Sequence, residues 1–121
     1  MRKEIIERNN RELEFKTVLF DLLLKMNYAR FTGDLPAYFA LIEQLDILLT
    51  PFHDELYRKD LEIIEQEFNG KVEAKTPAEA MAKHNGRLKA KMEAKLRALM
   101  KLAYRVGVIP IKSIPGKGGN L

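Results

Sequence analysis

Two histidines, one serine and no cysteine are what this chain offers for nucleophilic or metal chemistry, besides its carboxylates and lysines. His53 and His84 have no second ligand at the spacing that brings two donors onto one helix face. No Glu-x-x-His occurs, so carboxylate pairs such as Glu43/Asp46 and Glu62/Glu65 lack the imidazole that a di-iron bundle uses. Ser113 lies between prolines, a poor setting for a preorganised nucleophile. The stretch GVIPIKS has only one glycine and follows a helical pattern, so it does not make a phosphate loop. The expectation is therefore a protein with no catalytic residues, no metal and no cofactor, and not an enzyme.

Positive charge is the better-ordered chemistry. Residues 89–105, KAKMEAKLRALMKLAYR, hold six Lys or Arg side chains and one acid, Glu93. Wound at about 100° per residue, Met81, Leu88, Met92, Leu96, Leu99, Ala103 and Val106 share one side. Lys83, Arg87, Lys91, Lys95, Arg97, Lys101 and Arg105 share the opposite arc, about 160° wide. Such a face could track phosphates without reading bases, so nucleic acid is a possible partner. The competing reading is a solvated face, or one paired internally with the acidic stretch 54–67. Tyr104 is the one aromatic in this segment, which disfavours single strands, since those need stacking platforms.

Thr76–Met100 resembles a helix-turn-helix in part. Met81, Ala82, Gly86 and Met92 match its apolar, small, turn and core positions. Asn85, Arg87 and Lys95 stand where that motif needs apolar residues, and these misses outweigh the matches.

The elements that must carry these residues are helical. Acid-to-base pairs spaced i,i+4 recur in the favourable order: Glu4/Arg8, Glu7/Arg11, Glu12/Lys16, Asp21/Lys25, Asp54/Arg58, Glu55/Lys59, Glu79/Lys83 and Glu93/Arg97. A first helix is predicted from Lys3 to Thr32, ended by Gly33. It bears one apolar stripe of Phe15, Val18, Leu19, Leu22, Met26 and Ala29, and a second of Phe20, Leu23, Leu24 and Phe31. Two stripes imply cover from two sides: this helix is either the central element of the domain or part of a subunit interface, in which case the second set is the expected oligomer interface. Asp34 and Pro36 open a second helix whose stripe is Tyr38, Leu41, Ile42, Leu45, Leu48 and Leu49. Thr50-Pro51 predicts a cap, with a bend or a new helix running to Phe68, placing His53 on the helix surface in its first turn. Thr76-Pro77-Ala78-Glu79 is a capping box. Asn85-Gly86 predicts a break or kink before the basic helix, which runs to Val106. The result is an all-α fold: an antiparallel bundle of three to four helices over residues 1–107, with a long first helix and a basic last one. An extended tail, 108–121, ends in a flexible glycine-rich stretch. Its Val108, Ile109, Ile111 and Ile114 would pack back or add to a neighbouring subunit.

The 121 residues suffice for one domain with a core. Apolar runs are too short to span a membrane, and the first ten residues carry no secretory h-region. With the lack of cysteine, this predicts a cytoplasmic protein. The density of ion pairs suits a thermophile. Charge is split along the chain: residues 1–70 hold 9 bases against 14 acids, and 71–121 hold 12 against 3. Two function classes are left open. One is a small non-enzymatic protein binding nucleic acid through its basic helix. The other is a homo-oligomeric assembly or adaptor protein acting through protein–protein contacts.

Overall fold

The computed structural model describes residues 2–71 and 73–109. The fold is all-α, as the sequence predicts, with no strand among the described residues. The four α-helices are α1 (Arg2–Thr32), α2 (Leu35–Leu48), α3 (Glu55–Glu67) and α4 (Pro77–Arg105), with a 3₁₀ turn at Thr50–Phe52. The chain divides into two compact units, Met1–Leu48 and Leu49–Leu121, both within the predicted helical region or its tail. Of that tail only Val108 and Ile109 are described; Ile111, Ser113, Ile114 and the glycine-rich end lie outside the described residues.

The first unit is a helical hairpin of α1 and α2. Gly33 takes φ +76°, and there Gly33 N–H donates to Arg30 O at 3.3 Å and Asp34 N–H to Ala29 O at 3.0 Å. This pair of bonds satisfies the last carbonyls of α1 and turns the chain in two residues. Asp34 then caps α2, its Oδ1 accepting from Ala37 N–H at 3.2 Å. Leu19, Leu22, Met26 and Ala29 of α1 are buried, as are Tyr38, Ile42 and Leu45 of α2. Each fully buried leucine or isoleucine contributes roughly 1.5–3 kcal/mol. Val18, predicted to join this stripe, is exposed because it sits at the stripe's edge. At 1.5 Å per residue α1 is about 46 Å long and α2 about 21 Å. The first half of α1 therefore has no hairpin partner, and residues 2–14 are all exposed.

The second unit pairs α3 with α4. Its start corrects the expectation from sequence. Pro51 ends α2, since it has no N–H and disfavours helical geometry at Thr50. The chain makes the 3₁₀ turn here, closed by Phe52 N–H to Leu49 O at 2.9 Å, and not the first turn of α3. The cap of α3 is Asp54 instead of Thr50, with Tyr57 N–H donating to Asp54 Oδ1 at 2.8 Å. His53 thus lies in the connector, half-buried, its ring 4.6 Å from that of Tyr57.

At α4 the predicted cap holds: Glu79 N–H donates to Thr76 Oγ1 at 3.1 Å. Glu79 Oε2 reaches back to accept from Lys75 N–H, one residue before the box proper. The predicted break at Asn85-Gly86 is absent, and α4 runs through both residues. Strong helix formers on either side offset the roughly 1 kcal/mol that a mid-helix glycine costs. A helix-turn-helix is excluded by the same continuity. Met92, Ala98, Leu99, Leu102 and Ala103 are buried, whereas Met81, Leu88 and Val106 of the predicted stripe are exposed. The buried face of α4 is confined to its C-terminal half and rotated towards Leu102. Gly107, at φ +82°, repeats the closure seen at Gly33, with Gly107 N–H to Tyr104 O at 3.2 Å and Val108 N–H to Ala103 O at 3.0 Å. It delivers Ile109 to a buried position.

Candidate functional site

Two surfaces carry the residues singled out from sequence: the basic arc of α4 and the outward stripe of α1. On α4, ordering begins with the helix period, which puts the cations on one side, and continues with what each cation meets. Lys83 Nζ lies 3.1 Å from Glu79 Oε1, one turn earlier, and donates to Glu73 O at 2.7 Å. Arg87 Nη1 donates to Gly70 O. Both side chains tie the link between α3 and α4 to the helix. Lys71, Glu73, Lys83, Gly86 and Arg87 line the open hollow this leaves. Lys91 Nζ meets Glu65 Oε1 at 2.8 Å, joining α4 to α3.

The strongest contact is at the far end. Arg105 Nε donates to Asp54 Oδ2 at 2.7 Å and Nη2 to Oδ1 at 2.8 Å, a two-pronged clasp between the end of α4 and the start of α3. The Arg105 bond, followed by the Tyr57 N–H, lowers the Asp54 carboxyl from 3.8 to about 2. The same contact raises the Arg105 guanidinium further. Lys95 is half-buried and has an interaction of its own. Arg97 and Lys101 are exposed and have no ion pair among the described residues. The helix period thus gathers all seven residues on one helix, but four of them hold unit 2 together.

On α1 the second stripe faces outward. Phe20 is 56% exposed, Leu24 69% and Phe31 90%, while Leu23 is half-buried between the two stripes. Taking Leu13 as zero at about 100° per residue, Phe20, Leu24 and Phe31 fall within about 20° of it, and the buried stripe lies on the opposite side. Ile6 and Leu13, also exposed, continue the outward stripe towards the N-terminus. Sequence reasoning missed these two, though the spacing of seven in Ile6, Leu13 and Phe20, and again in Leu24 and Phe31, was the signal. Tyr28, exposed beside Leu24, widens the surface and lines a hollow with Leu24, Lys25 and Leu41.

Among the described residues no group of three or more His, Asp or Glu side chains is placed to hold a metal ion. No described helix is long and apolar enough to cross a membrane. Comparison with protein-family models, with curated proteins and with solved structures finds no match to this chain.

Proposed function

We propose that this chain is a non-enzymatic helical assembly protein, acting through protein–protein contacts and pairing with further copies of itself along the outward stripe of α1. The observation that carries this reading is the long, exposed apolar row on α1, opposite the face that packs on α2. Fully exposed, Phe31 forgoes on the order of 2 kcal/mol of burial, as does each large apolar neighbour in the row. Rows of this length on a monomer mark contact surfaces. The engagement of Lys83, Arg87, Lys91 and Arg105 within the second unit supports it from the other side, because it gives much of the basic arc a structural use. With no cysteine to protect, the chain suits the reducing cytoplasm.

Light scattering on the eluting full-length chain tests the reading. Wild type should elute at a multiple of the 14.0 kDa chain mass, and Leu24→Glu at the chain mass itself with its helical circular dichroism retained. A wild type that stays monomeric at about 100 μM, a concentration at which pairing with an affinity of about −8 kcal/mol is nearly complete, rules the reading out.

A second reading, contact with a polyanion, is favoured by one observation: Arg97 and Lys101 are exposed on the basic arc without a partner among the described residues. It involves two residues of α4, not seven.

A further inference from the structure

Given the pairing proposed for α1, on which this inference rests, the charges beside the stripe specify how two copies meet. Set on a heptad, Ile6, Leu13 and Phe20 occupy the d positions, followed by the polar Asn27, and Leu24 and Phe31 occupy a positions, the first a position being Lys3. Asn10 and Thr17 fill the a positions between them, and both are exposed. One flank of this seam, the e positions, carries Glu7, Glu14 and Asp21. The other flank, the g positions, carries Arg2, Lys16 and Arg30, with Asn9 and Leu23 between them. Acids are on one edge, bases on the other.

Pairing direction is set by this sorting. In a parallel pair the g residue of one helix faces the e residue of the next heptad on its partner. Arg2 then meets the second copy's Glu7, and Lys16 meets its Asp21, each contact occurring twice by symmetry. In an antiparallel pair like edges meet: acids face acids and bases face bases, which is repulsive. Asp21 already holds Lys25 of its own helix at 2.9 Å. A carboxylate has acceptor capacity for both cations. Asn10, one of three polar a positions beside Lys3 and Thr17, adds a register signal, since an amide at an a position is best satisfied by its own copy in a parallel, in-register partner. We infer that the occupant of the α1 stripe is a second copy of this chain, aligned parallel and in register, with the two-fold axis running along α1.

The lack of native cysteine makes the test direct. Full-length Asn10→Cys, oxidised as a folded sample, should form a disulfide-linked dimer in high yield. A mixture of Asn10→Cys with Asn27→Cys, the d position that an antiparallel pair would set opposite Asn10, should yield few mixed dimers. In the antiparallel alternative, with residue 10 opposite residue 27, residue 10 lies about 26 Å along the axis from its copy, beyond the roughly 7 Å that a disulfide tolerates. There the mixed product would dominate. Light scattering that finds a dimer, with mixed cross-links and no Asn10→Cys homodimer, overturns the parallel register and leaves self-assembly standing. A monomer in light scattering removes both. Lys16→Glu gives a second readout that leaves the apolar seam intact. It should weaken a parallel pair by roughly three- to tenfold, as expected for exposed charge contacts reversed twice over. If it tightens the pair instead, like-charged edges were meeting and the proposal is overturned.

Discussion

Asp54 does two jobs with one carboxylate: it caps α3 through Tyr57 N–H and grips Arg105 at the end of α4. The grip on Arg105 needs the charged form and the Tyr57 N–H favours it, so the folded chain holds its proton less tightly than the unfolded chain does, with a value of about 2 against 3.8. The stabilisation is therefore complete above the unfolded value, declines as pH falls below about 4, and is gone once the folded form also protonates near 2. Asp54→Asn keeps a competent cap and loses the charge. Thermal melts followed by circular dichroism should show it a few degrees less stable than wild type at pH 7, with the two curves converging as pH approaches 2. A gap of constant size across that range would mean the ionic clasp is not what stabilises the junction. The sequence pairs Asp54 with Arg58, four residues on, because only neighbours along a helix are visible to a spacing rule. Arg105, fifty-one residues away, prevails because its planar fork offers two parallel N–H donors.

At the scale of elements, glycine means different things at different places. Gly33 lies in the left-handed region at φ +76°, where a Cβ is strained, and ends α1. Gly86 has no positive φ, sits inside α4, and a Cβ there would meet nothing within 4 Å. Gly86→Ala should accordingly stabilise the chain by roughly 0.5–1 kcal/mol, and Gly33→Ala should destabilise it by about 1–2 kcal/mol. Chemical denaturation of the two variants, compared at unchanged m-value, reads both signs. A destabilising Gly86→Ala would mean the glycine is needed for a close approach. Sequence reasoning found the helix ends that are set locally, such as Thr76 with Glu79 and Gly33 with Asp34. It erred at Thr50-Pro51, where two polar residues four apart both had the chemistry to cap and the geometry of the 3₁₀ turn chose Asp54. It also extended the buried face of α4 too far: periodicity shows which side of a helix is apolar, not how much of its length another helix covers. Hence Met81 and Leu88 fit the period and remain exposed.

At the scale of the whole molecule, the excess of nine positive charges after residue 70 invites a polyanion, yet charge count and available charge differ. Lys83, Arg87, Lys91 and Arg105 each have a protein oxygen within the second unit. Moving them onto phosphates would open the link and the clasp that they close. The sorting of the arc was legible from sequence because it depends only on the helix period. Its use was not, because Glu65, Gly70 and Asp54 come beside it only through folding. Of the seven residues of the arc, Arg97 and Lys101 are the two that can engage a backbone without such a loss. Each neutralised phosphate of duplex DNA lowers log K by about 0.9 per unit of log salt, so two contacts give a slope of about −2 and all seven about −6. Anisotropy titration of a labelled duplex across a salt series separates these cases. The Leu24→Glu chain is the right sample, since each binding event then counts one copy. The expected outcome is weak binding at low salt with a slope near −2, abolished by Arg97→Ala with Lys101→Ala. A slope steeper than about −5 would mean that the internal pairs open on binding and that the whole arc faces phosphate. The second reading would then displace assembly as the primary function of the chain.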